Sequence, residues 1–113
     1  MHEYSIVQAL MGSIESEARA RGALAVHGVC LKIGELSGVE PELLRSAYEI
    51  VRPGTLCSDA ELEIVESAAR WICRGCGRAL ERGAVLRCPE CREPGRLESG
   101  DEILLESLEL EVA

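Results

Sequence analysis

Two cysteine pairs constrain this chain more than any other feature: Cys73-Arg74-Gly75-Cys76 and Cys88-Pro89-Glu90-Cys91. A C-x2-C unit turns the backbone through a tight knuckle and aims two sulfurs at one ion. Two knuckles on facing hairpins complete a tetrahedron of thiolates, the closed environment that Zn²⁺ takes in structural sites. Gly75 and Gly77 give the first knuckle its backbone freedom, and Pro89 stiffens the second. Disulfides would need an oxidising compartment, but Met1-His2-Glu3 opens no basic and apolar leader, so a cytoplasmic setting is expected. A dithiol redox motif would stand singly at a strand-to-helix turn, whereas here two pairs flank an Arg/Gly-rich stretch. Cys30 falls in a predicted strand and reads as a small buried hydrophobe; Cys57 follows a turn that allows exposure, and has no assigned role.

The chain has 113 residues, enough for one small domain and a minor module. It contains no Phe and one Trp, so its core must be aliphatic. No apolar run approaches the length that spans a bilayer. The net charge of −8 is unevenly spread. Between Arg70 and Arg96 seven arginines face three glutamates, a local +4 that leaves −12 for the remainder. Four thiolates with one Zn²⁺ would add −2 to that segment, so the arginines partly balance the cluster. The acidic remainder disfavours nonspecific nucleic-acid binding.

Val7, Leu10, Met11, Ile14 and Ala18 recur at helical spacing, which predicts a helix from Ser5 to about Arg21. Ser5 and Gln8 fit a capping box, Gly22 fits the stop, and a start as early as Glu3 is compatible with the pattern. Val26 to Gly34 alternates as a strand. Pro41 suits the first turn of a second helix, with Leu43, Leu44, Ala47, Tyr48 and Val51 on one face and Pro53-Gly54 ending it. Leu62 and Ile64 mark a second strand running toward Trp71, and Leu108, Leu110 and Val112 a third. Apolar parity slips near Ile103 to Leu105, which predicts a bulge or a change of burial there. The expected fold is α+β: a small three-stranded mixed sheet with two helices on one face, plus an inserted four-cysteine, zinc-ribbon-like module. The body comprises 1–69 and 98–113 and the zinc-binding module 70–97, with Glu98-Ser99-Gly100-Asp101 marking the return.

No phosphate-binding loop, dinucleotide fingerprint or metalloprotease motif is present, and His2 and His27 are the chain's two histidines. The chain therefore reads as a protein that binds rather than transforms, not an enzyme. His27 reads as a strand histidine with a local hydrogen bond, and Glu61, Glu63, Glu109 and Glu111 as the wet face of a sheet. A histidine at position 2 is usually on a mobile terminus, yet it permits a specific chelate. The Met1 amine, the deprotonated His2 amide and the His2 imidazole Nδ1 close two rings on one metal, and the Glu3 amide offers a fourth nitrogen. Such a set is tetragonal or planar and suits Ni²⁺ or Cu²⁺ better than Zn²⁺.

Met1-His2-Glu3-Tyr4-Ser5-Ile6 resembles the opening signature of the HypA/HybF family, nickel chaperones of [NiFe]-hydrogenase maturation. The resemblance continues through Ile33-Gly34-Glu35-Leu36-Ser37, the four cysteines, and Leu104-Leu105-Glu106-Ser107-Leu108-Glu109, in the same order over essentially the whole chain. It implies His2 as nickel ligand with Met1 and the backbone amides as companions, Glu3 as a residue that positions the terminus or tunes the metal, and Glu40 as an acidic neighbour of nickel. It implies structural Zn²⁺ on Cys73, Cys76, Cys88 and Cys91, and Ni²⁺ as transient cargo. The implied partners are the maturation GTPase, the hydrogenase large subunit and, in some members, urease maturation proteins. No nucleic acid and no membrane is implied, and the chain is a monomer or homodimer. The alternative reading is a zinc-ribbon module that contacts protein or nucleic acid through Arg74, Arg78, Arg82 and Arg87; the acidic body and the scarcity of aromatic stacking residues argue against it.

Overall fold

A computed structural model describes residues 2–81 and 87–113; Met1 and Arg82, both singled out above, lie outside them. The elements are α1 (His2–Ala20), β1 (Ala23–Gly34), α2 (Pro41–Val51), β2 (Glu61–Ser67), β3 (Arg70–Cys73), β4 (Ala79–Leu80), β5 (Gly95–Ser99) and β6 (Ile103–Val112). They build two three-stranded sheets, ordered β2-β1-β6 and β4-β3-β5. In the first, β1 runs parallel to β2 and antiparallel to β6, the expected mixed sheet. A parallel pair cannot be joined by a hairpin, and α2 provides the crossover.

Both helices pack on one face of this sheet. Val7, Met11, Ile14 and Ala18 of α1 meet Val26, Val29, Leu31 and Ile33 of β1, and Leu44, Ala47 and Tyr48 of α2 close the core beside Leu62. Among the described residues fifteen buried ones make up this cluster, mostly aliphatic, with Tyr48 the aromatic among them and Tyr4 packed against it. The opposite face carries Glu61, Glu63, Glu109 and Glu111, all exposed, in the wet role expected of them. His27 lies there too, 2.7 Å through Nε2 from Glu111 Oε1.

Several expectations need correction. α1 is helical from His2, so Ser5 is an exposed residue inside the first turns and not its cap. β1 begins at Ala23, three residues before Val26. Leu43 is 55% exposed: at about 100° per residue it falls off the face that Leu44, Ala47 and Tyr48 share. Cys30 is not buried; it sits half-covered on the outer face, where its thiol donates to Glu63 Oε1 at 3.3 Å. Cys57, by contrast, is fully buried. Its turn is pinned from both sides, since Val26 N–H donates to Leu56 O at 3.1 Å and Tyr48 Oη to Ala60 O at 2.8 Å. Burial is also what raises the Cys57 thiol pKa. The second strand stops at Ser67 instead of reaching Trp71, which belongs to the other sheet. Of the bulge or change of burial expected near Ile103 to Leu105, the structure has a register shift just beyond that stretch: Cys30 faces Ser107 and Leu31 faces Leu105, so Glu106 is the extra residue.

Ile14 is fully buried at the centre of α1's contact with the sheet. Truncating it in Ile14→Ala is expected to cost about 3 kcal/mol, the usual penalty for deleting a core aliphatic. Urea unfolding would register this as a lower midpoint at unchanged slope, and an unmoved midpoint would contradict the core described above.

Candidate metal centre

The second sheet carries the first of the four cysteines, Cys73, at the end of β3. β3 is its middle strand, pairing antiparallel with β4 and β5. The first knuckle follows β3, and the second lies between Arg87 and Pro94, which form an antiparallel bridge. The knuckles repeat one hydrogen-bond scheme. Cys73 N–H donates to Arg78 O at 2.8 Å and Gly77 N–H returns to Cys73 O at 3.0 Å; Cys88 N–H donates to Glu93 O at 3.0 Å and Arg92 N–H returns to Cys88 O at 2.9 Å. The fourth residue after each leading cysteine has a left-handed backbone, Gly77 at φ 75° and Arg92 at φ 61°. Glycine takes this conformation freely, whereas arginine carries the cost of a crowded Cβ, a feature its residue type does not announce.

Within each knuckle, backbone N–H groups point at the leading sulfur. Gly75 and Cys76 donate to Cys73 Sγ at 3.2 and 3.4 Å, and Cys91 donates to Cys88 Sγ at 3.4 Å. The four Sγ atoms all lie within 4.8 Å of one another, and Cys76 Sγ is 3.9 Å from Cys88 Sγ. Four sulfurs at a Zn–S distance of about 2.3 Å in a tetrahedron are separated by about 3.8 Å. The donor set and its spacing therefore fit one such ion. Cys73 and Cys88 are buried and Cys76 and Cys91 exposed. Backbone N–H groups of Cys91 and Glu90 bring the Cys88 thiol down to about 7, whereas the thiol hydrogen bond with Cys76 and desolvation push Cys91 up to about 12. Crowded thiols cannot all ionise without a cation among them, and a divalent ion supplies the compensating charge. Around the cluster, Arg78 pairs with Glu90 at 3.3 Å, and Arg87 donates to Arg92 O at 2.6 Å.

Of the other predicted ligands, His2 and Glu3 open α1 and Glu40 precedes α2. The His2 imidazole is open to solvent, with its side chain 63% exposed and Nδ1 4.0 Å from Glu3 Oε2. Glu3 turns the same oxygen to the backbone N–H of Glu40, 3.2 Å away. Glu40 is the N-cap of α2, and its own backbone N–H, one of the helix-start donors without an intrahelical acceptor, is satisfied by this carboxylate from α1. Glu3 and Glu40, 37 positions apart in sequence, are thus neighbours, with His2 beside Glu3. The direct Glu3–Glu40 backbone contact has no signal in the sequence, because it depends on how the two helices pack. The four cysteines form a separate cluster.

This fold and this cluster define a class: a small α+β metal-binding protein with an inserted four-cysteine module. The family model for "Hydrogenase/urease nickel incorporation, metallochaperone, hypA" matches residues 1–110. The hydrogenase maturation factor HypA of Nitrosospira multiformis is 43% identical over 112 residues, covering 97% of both chains. That of Acidithiobacillus ferrooxidans is 37% identical over 113 residues, covering 98% of this chain and all of the relative. The solution structure of the Ni metallochaperone HypA from Helicobacter pylori superposes with a TM-score of 0.75 at 31% identity, over 98% of each chain. The chain belongs to the HypA family of nickel-incorporation metallochaperones, which are maturation factors and not enzymes.

The Glu3 contact has a measurable consequence. Its own backbone N–H and that of Glu40 hold the Glu3 carboxyl below its ordinary 4.5. A carboxyl whose pKa is lowered on folding stabilises the fold fully above the unfolded value, and loses that contribution as pH falls through the lowered folded value. Carboxyl-carbon NMR titration should therefore place the Glu3 midpoint under 4.5. A midpoint at or above that figure would mean the Glu40 contact is not formed in solution.

Proposed function

We propose that this chain carries Ni²⁺ at its amino end and delivers it to a [NiFe]-hydrogenase precursor in the cytoplasm. His2 is the principal ligand, with the Met1 amine and the His2 and Glu3 amides completing a nitrogen set, and Glu40 is an acidic neighbour. Cys73, Cys76, Cys88 and Cys91 hold a structural Zn²⁺, which stiffens a module of residues 70–97 inserted in a body of 1–69 and 98–113. The partners are the maturation GTPase, the hydrogenase large subunit or the corresponding urease machinery, reached as monomer or homodimer.

The observation that carries the reading is the contrast between the two sites. The imidazole of His2 stands open to solvent at a helix start. The first amides of a helix have no intrahelical acceptor, and the positive end of the helix dipole eases loss of an amide proton. Such a site lets a partner replace ligands one at a time. Protonation of the imidazole below its reference pKa of about 6.5 also loosens it. The four sulfurs, gathered on two hydrogen-bonded knuckles, suit an ion that stays.

Calorimetry with Ni²⁺ on the zinc-loaded chain is expected to show one site beyond the zinc, absent in His2→Ala. Adding a residue before Met1 should weaken that site by roughly tenfold or more, the scale on which even indirect metal contacts act. Equal uptake by the intact chain and His2→Ala would remove the carrier reading. Separately, Cys88→Ser should drop the zinc stoichiometry well below one per chain while the helical circular dichroism of α1 and α2 persists. Full zinc retention would take Cys88 out of the ligand set.

A further inference from the structure

Three stretches of backbone meet where β1 ends. Residues 34–36 hydrogen-bond both chain crossings of the four-cysteine module. On the outgoing crossing, Glu35 N–H donates to Ser67 O at 2.8 Å and Glu35 Oε1 accepts the Ala69 N–H at 2.5 Å. On the returning crossing, Gly34 N–H donates to Glu102 O at 2.8 Å and Leu36 N–H to Gly100 O at 2.6 Å. The backbones stack without side chains between them. A Cβ on Gly34 would stand 2.2 Å from the Gly100 carbonyl, and one on Gly100, whose φ is +114°, would stand 2.4 Å from Ala69 Cα. Any larger residue at these two positions would force the crossings apart.

The same loop continues to α2 and ends at Glu40, whose N–H is held by Glu3 of α1. Between these ends, Ser37 Oγ accepts the Val39 N–H at 3.2 Å and Val39 is buried against the core. One short segment is thus clamped to both module crossings at one end, seated on the core in the middle, and tied to the first turn of α1 at the other.

We propose that residues 34–40 form a strut that sets the position of the four-cysteine module relative to the start of α1, with Glu35 the positioning residue at the module end and Glu3 at the helix end. Its purpose rests on the nickel reading above; its mechanics do not. A ligand that draws Glu3 away from the Glu40 amide releases one end of the strut, and the Glu35 contact transmits the change to Ala69 and the module behind it. The coupling runs through a contiguous chain of hydrogen bonds and packed backbone, the physical form that such transmission takes.

The test uses amide NMR on the full, zinc-loaded chain without nickel. Glu3→Ala is expected to shift the resonances of residues 35–40, of Ala69 and Gly100, and of the second sheet over 70–99. In a Glu35→Ala background the Glu3→Ala perturbation should stop at the loop, leaving 70–99 unmoved. Glu35→Gln, which keeps an acceptor for Ala69 N–H, should restore it, a rescue that general loosening of the fold would not produce. A 70–99 response to Glu3→Ala that is equal with and without Glu35→Ala overturns the strut, as does no response in the otherwise native chain; the latter decides the matter even if Glu35→Ala fails to fold. Because these comparisons need no nickel, absence of nickel uptake would count against the carrier reading alone.

Discussion

The pairing of β1 with its two neighbours is the constraint from which the rest of the architecture follows. β1 lies parallel to β2 and antiparallel to β6, so the end of β1 at Gly34, the end of β2 at Ser67 and the start of β6 at Ile103 all fall at one edge of the sheet. The loop into α2, the exit to the four-cysteine module and the return from it therefore meet there. Parallel pairing also demands a crossover, and α2 in that role packs against α1 and presents its own N-terminus to the N-terminus of α1. The buried row Val26, Val29, Leu31 and Ile33 makes this register costly to slip, since a shift by one residue would turn the whole row to water.

On that frame sit two groups of metal-competent residues with opposite chemistry. The thiols belong to backbone knuckles whose own N–H groups face the sulfurs, so their convergence is local and repeated almost bond for bond in the two halves. The His2 imidazole at the start of α1 is open, and its surroundings rest on a tertiary contact, with Glu3 beside it reaching across to Glu40. The two environments differ in their openness: the His2 side chain is 63% exposed, whereas Cys73 and Cys88 are buried.

Legibility tracks the range of the interactions involved. The four-cysteine cluster is readable because each knuckle closes within four residues, and the paired spacing already points four sulfurs at one place. The helices and the strands of the body are readable from apolar periodicity, which reports a one-sided core directly. Cys30 and Cys57 depart from expectation in opposite directions. Strand membership does not say which face a residue takes once bulges shift the parity of β1, and a turn residue becomes buried when Tyr48 and β1 anchor the segments on either side of it. Leu43 misleads because a hydrophobic residue next to a core position reads as core until the helix is seen against its sheet. The Arg92 backbone stays hidden because its left-handed slot is glycine in the first knuckle.

Read as a string of residues, the chain already dictates the elements and the chemistry that close over short spans: two amphipathic helices, the alternating strands, the sulfur knuckles, and a histidine poised beside the amino end. Each rests on periodicity or on spacing along the chain, which are properties of neighbours. It took the packed fold to make the two helix starts touch through Glu3 and the Glu40 amide, and to stack Gly34, Ala69 and Gly100 where the module departs and returns. Those contacts join residues more than thirty positions apart, and only the direction in which the strands pair brings them to the same edge.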